Sequence, residues 1–244
     1  MSAPVNKLHA NKYEELVRRR GRIVRWQEAI MCSCWTDLQH PLYDCNACNG
    51  YGYTYADPID DLAIVQSVAH NKEFEEMAGV FEIGDAIMSV GRFVAEVNPV
   101  TGHPNMRVPG RENPIFHVGM FDLITLLDDD YKTSELLVKG RDIYGRPPDT
   151  LLNEDVVEVR AVRKSDIITG DITHYEAGTD YEVVGNRIEW LSDGPGDGEQ
   201  YSVQYTHRPV FTVLTQLPSP RYQDGQDLPK KVALRYRAGG YDRK

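Results

Sequence analysis

Val156-Val157-Glu158-Val159-Arg160-Ala161-Val162-Arg163 alternates apolar and polar side chains, as a strand does when one face is buried and the other meets water. The signature recurs in Thr173-His174-Tyr175, Asp180 to Val184, Arg187 to Leu191 and Gln200 to Thr206. Turn signals at Glu176 to Thr179, Gly185-Asn186 and Ser192 to Gly198 separate these runs. Short strands punctuated at near-regular intervals predict an antiparallel sandwich or barrel. Val210 to Leu214 and Lys231 to Arg237 extend the series, so an antiparallel β-sandwich is expected over 146–244, ending in the polar tail Asp242-Arg243-Lys244.

Upstream, Gly140, Gly145, Pro147 and Pro148 mark a boundary between two halves of the chain. The half before it, 57–145, reads as a β-rich, barrel-like domain. Its candidate strands are Leu62 to Val65, Ser67 to Ala69, Asp85 to Val90, Phe93 to Val97, Phe121 to Leu127 and Glu135 to Lys139. Pro99 to Pro114 has little periodicity and several prolines, the composition of a loop that is either mobile or a binding element. Asp128-Asp129-Asp130 reads as a solvated turn, since consecutive side chains do not converge on a cation. His70, His103 and His117 lack ligand spacing and are assigned no role.

The first 31 residues read as a helical arm. Asn11 to Glu14 fits a capping box, and Tyr13, Leu16, Val17, Ile23, Val24, Ile30 and Met31 follow helical spacing, which predicts a helix from Lys12 to about Met31 with a weak point at Gly21. Its other face carries Arg18, Arg19, Arg20, Arg22 and Arg25. Such a run is either a solvated face or a surface that docks on an acidic neighbour or near DNA phosphate.

All four cysteines fall in one segment, Cys32-Ser33-Cys34 and Cys45-Asn46-Ala47-Cys48, followed by Gly50 and Gly52. Close pairs let a tight turn aim two sulfurs at one point, and the glycines permit the close backbone approach of a metal knuckle, so 32–56 is expected to be a zinc finger with Cys32, Cys34, Cys45 and Cys48 as ligands of a structural Zn2+. Two disulfides would also satisfy the even count, and a redox Cys-x-x-Cys is a further alternative. A cysteine-poor chain without a secretory signal favours reduced thiols, and no thioredoxin-like pattern surrounds the pair. Four thiolates fill the coordination sphere, which argues against a catalytic metal.

The chain as a whole is expected to be mostly β, α+β by class. At 244 residues it can bury a substantial core, and its 41% hydrophobic and 26% charged residues are ordinary for a globular protein. A net charge of −10 argues against general affinity for nucleic acid, and no apolar run is of membrane-spanning length. No phosphate-cradling glycine loop, nucleophile elbow, His-Glu-x-x-His or dinucleotide fingerprint is present, so no enzyme is expected.

Gly178-Thr179-Asp180-Tyr181, Ile188-Glu189-Trp190-Leu191 and Gly198 to Tyr205 together resemble a recurrent pattern of tailed-bacteriophage virion proteins. With the upstream knuckle ending in Cys45-Asn46-Ala47-Cys48-Asn49-Gly50-Tyr51-Gly52, the chain is similar to neck or head-to-tail connector proteins. Such hairpins are shared by phage tail and baseplate proteins. The knuckle also resembles the zinc repeats of J-domain chaperones, although here it occurs once and without a His-Pro-Asp motif. The connector resemblance implies a non-enzymatic subunit of a homo-oligomeric ring in the virion, made in the host cytoplasm. Its implied neighbours are the portal or adaptor on one side and tail proteins on the other. DNA would pass through the lumen without sequence-specific binding, and no membrane would be involved. The competing reading from another class is a zinc-ribbon nucleic-acid-binding protein, against which the net charge and the scarcity of basic residues in the finger both count.

Overall fold

A computed structural model of the chain describes residues 10–35, 40–42, 45–48, 50–67, 84–94, 111–142, 146–192, 194–217, 222–223 and 226–237. It opens with α1 (Ala10–Arg20), β1 (Arg22–Gln27), β2 (Ala29–Met31), β3 (Tyr53–Tyr55), β4 (Ile59–Ser67), β5 (Ala86–Val90), β6 (Phe93–Val94), β7 (Arg111–Glu112) and β8 (Leu123–Leu126). There follow β9 (Tyr131–Val138), β10 (Val156–Ser165), β11 (Ile172–Tyr175), β12 (Tyr181–Val184), β13 (Arg187–Trp190) and β14 (Gln200–His207). Last come β15 (Val210–Gln216), β16 (Tyr222–Gln223), β17 (Gln226–Asp227) and β18 (Lys230–Tyr236). The chain is mostly β with an N-terminal helix, as its patterning predicts, and divides into two compact units.

The first unit takes the chain up to Asp128 and again from Val210 to Tyr236. Its heart is a closed antiparallel barrel in the order β1-β4-β5-β18-β15-β8. Closure leaves no unpaired edge, and a six-stranded barrel is narrow enough for its own side chains to fill. Val24, Trp26, Ala63, Met88, Val90, Ile124, Leu126, Phe211, Val213, Val232 and Leu234 do so. Ile115 joins them from a single 3-10 turn, Pro114–His117. Buried Asn113 fixes that turn: its Oδ1 accepts from Ile115 N at 3.0 Å and its Nδ2 donates to Leu62 O at 3.1 Å. Lys230 Nζ donates to the carbonyls of Phe116 and Val118 beside it. Asp61, buried on β4, receives both guanidinium nitrogens of Arg111, at 2.5 and 2.7 Å.

The second unit is built within 129–209. Its four-stranded antiparallel sheet runs β11-β10-β14-β9, and the β12–β13 hairpin contributes to the same core. Leu137, Leu151, Val162, Tyr181, Ile188, Tyr201, Val203 and Tyr205 fill that core. Trp190 stands edge-on to Tyr175, Tyr181 and Tyr201, with centroids 5.1, 6.0 and 5.2 Å away, the arrangement that ring quadrupoles favour. Polar atoms are matched as well. The Tyr201 hydroxyl donates to Asp149 Oδ1 at 2.6 Å, and Asn153 Nδ2 donates to the Tyr205 hydroxyl at 2.8 Å.

Two expectations change here. The helix ends at Arg20 instead of continuing to Met31, and Arg22 onward is strand. Gly21 N still donates to Val17 O at 2.6 Å, but a side chain at Gly21 would collide with that carbonyl, so the glycine closes the helix. Beyond it Val24 and Trp26 point into the barrel at a spacing of two, while Ile23, Ile30 and Met31 are exposed. The expected boundary at 140–148 also gives way. β9 lies before it yet belongs to the second unit, and β15 and β18 lie after it yet close the barrel. Glycine and proline mark where the chain turns, not which strands pair. The segments 71–77 and 95–110, with His70 and His103, lie outside the described residues.

Candidate metal centre

The barrel strands β1 and β4 are adjacent, and the chain between them leaves the barrel and returns. Its stem is the β2–β3 ribbon, with Ala29 opposite Tyr55, Ile30 opposite Thr54 and Met31 opposite Tyr53. β2 runs directly into Cys32, and Gly52 runs directly into β3, so the ribbon brings the two ends of the cysteine segment together before any sulfur interacts. Cys32 N donates to Gly52 O at 2.8 Å as the next rung beyond the ribbon.

All four sulfurs of Cys32, Cys34, Cys45 and Cys48 lie within 4.8 Å of one another. Cys32 Sγ is 3.8 Å from Cys45 Sγ, and Cys34 Sγ is 3.5 Å from Cys48 Sγ. A tetrahedron with a metal–sulfur bond of about 2.3 Å has edges of roughly 3.8 Å, so the donor set fits one four-coordinate ion. No sulfur is bonded to another: these distances are well beyond the ~2.05 Å of an S–S bond, and all four are free thiols. Among the described residues, this is the one group of three or more potential ligand side chains close enough to share an ion; the aspartates 128–130 do not form one.

The local backbone suits anionic sulfur. Gly52 N donates to Cys48 Sγ at 3.3 Å, and Tyr51 N donates to Cys48 O at 2.9 Å. Gly50 and Gly52 hold φ of 79° and 81°, a region that other residues enter at a cost. At Gly52 a Cβ would lie 2.8 Å from Trp35 Nε1, which donates to Gly52 O at 2.7 Å. Backbone N–H groups of Cys48 and Ala47 draw the Cys45 thiol down to about 7. Desolvation, with neighbouring thiols adding to it, pushes Cys34 up to about 12. Four sulfurs this close cannot all become thiolates without a cation among them.

Two supports of the centre escape sequence patterning. Asp122, buried immediately before β8, accepts from Trp26 Nε1 at 2.7 Å, Ala29 N at 2.8 Å and Gly119 N at 2.7 Å. It ties the barrel wall to the root of the ribbon. Phe121, at φ 70°, stacks on Tyr53 with centroids 4.7 Å apart, and Tyr53 in turn meets Trp35 edge-on at 6.1 Å. A lone aspartate beside an apolar run gives no signal of three donors arriving from distant positions.

The arginine run does not form one face. Arg18, Arg19 and Arg20 occupy the last turn of α1, where cations complement the helix dipole, and Arg19 pairs with Glu15 at 2.5 Å. Arg25 sits on β1 and forks onto Asp60 at 2.9 and 3.0 Å. No helix among the described residues is long and apolar enough to cross a membrane. No protein-family model matches the chain, and no curated protein matches it in sequence.

Proposed function

We propose that this chain is a non-enzymatic structural protein of a tailed-phage virion, a ring-forming neck or head-to-tail connector subunit between the portal side of the head and the tail. In this reading Cys32, Cys34, Cys45 and Cys48 hold a structural Zn2+, which fixes the finger and leaves no open coordination position.

The observation that carries the reading is how the phage-like residues are used. Tyr181, Ile188, Tyr201, Val203 and Tyr205 are all buried in the core of the second unit, and Gly178 and Gly185 hold positive φ in its turns. The pattern that resembles virion proteins is thus a packing pattern, with no cluster of reactive groups among its members. A barrel without free edges and a finger stapled by metal suit a subunit that must keep its shape under load.

The test is the mass of the purified full-length protein, alone and mixed with portal and tail-completion proteins, by native mass spectrometry and negative-stain microscopy. Rings, or co-assembly with those partners, are expected. Salt-sensitive DNA binding by a monomer would favour the zinc-ribbon alternative instead.

A further inference from the structure

Among the described residues, two that are not glycine hold a left-handed backbone, Asp149 at φ 58° and Phe121 at φ 70°. Aspartate tolerates this region, and the Asp149 carboxylate accepts there from Gly140 N at 3.1 Å and from the Tyr201 hydroxyl at 2.6 Å. A phenylalanine side chain has no polar atom with which to compensate, so its strain persists only where the surroundings impose it. The barrel does so. Val213 on β15 brackets the residue: its carbonyl accepts from Phe121 N at 2.8 Å, and its N–H donates to Asp122 O at 2.9 Å. The Asp122 carboxylate then closes the turn on Gly119 N at 2.7 Å. Glycine or asparagine would make the same backbone bonds with less strain. The phenylalanine ring adds little to the barrel, since it is 41% exposed and has no place in the barrel core.

What the ring meets is the finger. It stacks on Tyr53 with centroids 4.7 Å and planes 17° apart, and Tyr53 opens β3 directly after Gly52. Tyr53 meets Trp35 edge-on at 6.1 Å, and Trp35 follows Cys34 in the chain. Trp35 Nε1 and Cys32 N converge on Gly52 O at 2.7 and 2.8 Å, while Gly52 N donates to Cys48 Sγ at 3.3 Å. Contacts therefore run without a gap from Phe121 to Cys32 and Cys48, the two buried cysteines.

We infer that Phe121 is a positioning residue of the metal centre: the barrel holds its ring at a strained backbone angle against Tyr53, and that contact keeps Cys32 and Cys48 aimed to hold Zn2+. The inference rests on the reading of the four cysteines as a zinc site and adds the element of the barrel that orients them. A residue kept for the barrel alone would sit there with less strain as glycine or asparagine. Ring and strain together make sense through what lies beyond Tyr53, because the partners behind a metal ligand govern how well it is held. Removing the ring while keeping the turn should then move two properties apart: zinc leaves faster, and the barrel is not weakened.

The test uses the full chain loaded with Zn2+, as wild type and as Phe121→Asn, Phe121→Gly and Phe121→Tyr. Transfer of Zn2+ to a colorimetric chelator is expected to be about 10-fold faster in the asparagine and glycine variants, the low end of what removing an outer partner of a metal ligand does. Phe121→Tyr, which keeps the ring, should release zinc at the wild-type rate. Hydrogen exchange followed by mass spectrometry on the same samples should quicken in the β2–β3 ribbon and stay at its wild-type rate in β8 and β15. An asparagine variant that holds zinc as long as the wild type would overturn the inference. So would faster exchange in β8 and β15 in step with zinc loss, which would make Phe121 an ordinary part of the barrel, or a tyrosine variant that leaks zinc as fast as the asparagine one. A wild-type chain that takes up no Zn2+ would remove the zinc reading and the inference with it, an outcome visible before any variant is made.

Discussion

Replacing Asp122 by alanine strikes the junction between barrel and finger. The carboxylate accepts three hydrogen bonds at 2.7 to 2.8 Å, from Trp26 Nε1, Ala29 N and Gly119 N, at a buried position. Each donor left unpaired costs about 1–3 kcal/mol. Water entering the vacated space recovers part of that sum, so the expected loss is about 3–6 kcal/mol, a large share of the ~5–15 kcal/mol of an ordinary domain. Asp122→Asn separates hydrogen bonding from volume. With its amide oxygen in the place of Oδ2 it still accepts from Trp26 and Gly119, and only Ala29 N meets an NH2 group, for about 1–3 kcal/mol. Urea unfolding followed by the emission of Trp26 in the barrel and Trp35 in the finger, with Trp190 replaced by phenylalanine to silence the second unit, reads the series. The order wild type, Asn, Ala is expected, with the ribbon opening first and metal retention falling alongside. An alanine variant within about 1 kcal/mol of wild type, or an asparagine variant as damaged as alanine, would refute the reasoning.

The remaining predictions concern the metal, its glycine and pH. Elemental analysis of protein purified without added metal should find about one zinc per chain, and chelation or Cys45→Ser should expose residues 32–52 to protease while the barrel stays folded. Gly52→Ala puts a methyl group against Trp35 Nε1 at a φ of 81°, and should weaken zinc retention and cost about 1–3 kcal/mol, read as faster metal transfer to a colorimetric chelator. His207 is buried, with Nε2 on the Thr133 hydroxyl and Nδ1 on Arg208 O, and burial pulls its pKa below the ordinary 6.5. The unfolded chain then binds the proton more readily, so its contribution is intact above about pH 6.5 and is lost as pH falls through the folded value. Burial raises the pKa of Tyr201 and Tyr205. Their sign is opposite: stability is full below the ordinary tyrosine value of about 10 and falls as pH rises beyond it. Thermal melts of the second unit from pH 5 to 11 should therefore show a plateau between these limits, and Thr133→Val should alter its acid shoulder more than its alkaline one.

The second unit is the more legible half because two of its pairings, β10–β11 and β12–β13, join consecutive strands, against β4–β5 alone in the barrel, and because β14 alternates cleanly. Tyr201, Val203 and Tyr205 face inward at a spacing of two, whereas in β10 Val156, Val159 and Val162 reach the same core at a spacing of three, across register shifts at Val156–Glu158 and Val159–Ala161 that no alternation announces. The cysteines were legible because their spacing is itself the geometry. Residues 22–31 were misread because two periods fit them at once: Val24 lies seven from Val17 and two from Trp26, and only pairing with β4 and β8 makes the second spacing the one that counts. Strand β8 hides its partners in another way. Leu123, Ile124, Thr125 and Leu126 are all buried, so both faces are covered and no alternation reports which neighbours do the covering. Barrel closure by β15 and β18 is a long-range fact, written in complementary side-chain volumes instead of in any local stretch.

The position of the finger bears on what the ion is for. Residues 28–58 form an excursion between β1 and β4, two strands that pair with each other from Arg22↔Ala63 to Trp26↔Ile59. The barrel therefore closes whether or not the finger is ordered, and an unconstrained loop of that length would cost about 3 kcal/mol in closure entropy without adding to the core. A short ribbon alone is marginal in water. Here Asp122 fixes its root, the Phe121–Tyr53–Trp35 stack fixes its flank, and the four sulfurs converge at its far end. Each constraint acts where the previous one runs out. A chain that needed only a stable barrel would join β1 to β4 by a tight turn. The ion's share of the stability therefore falls on the finger and not on the β1–β4 pairing beneath it.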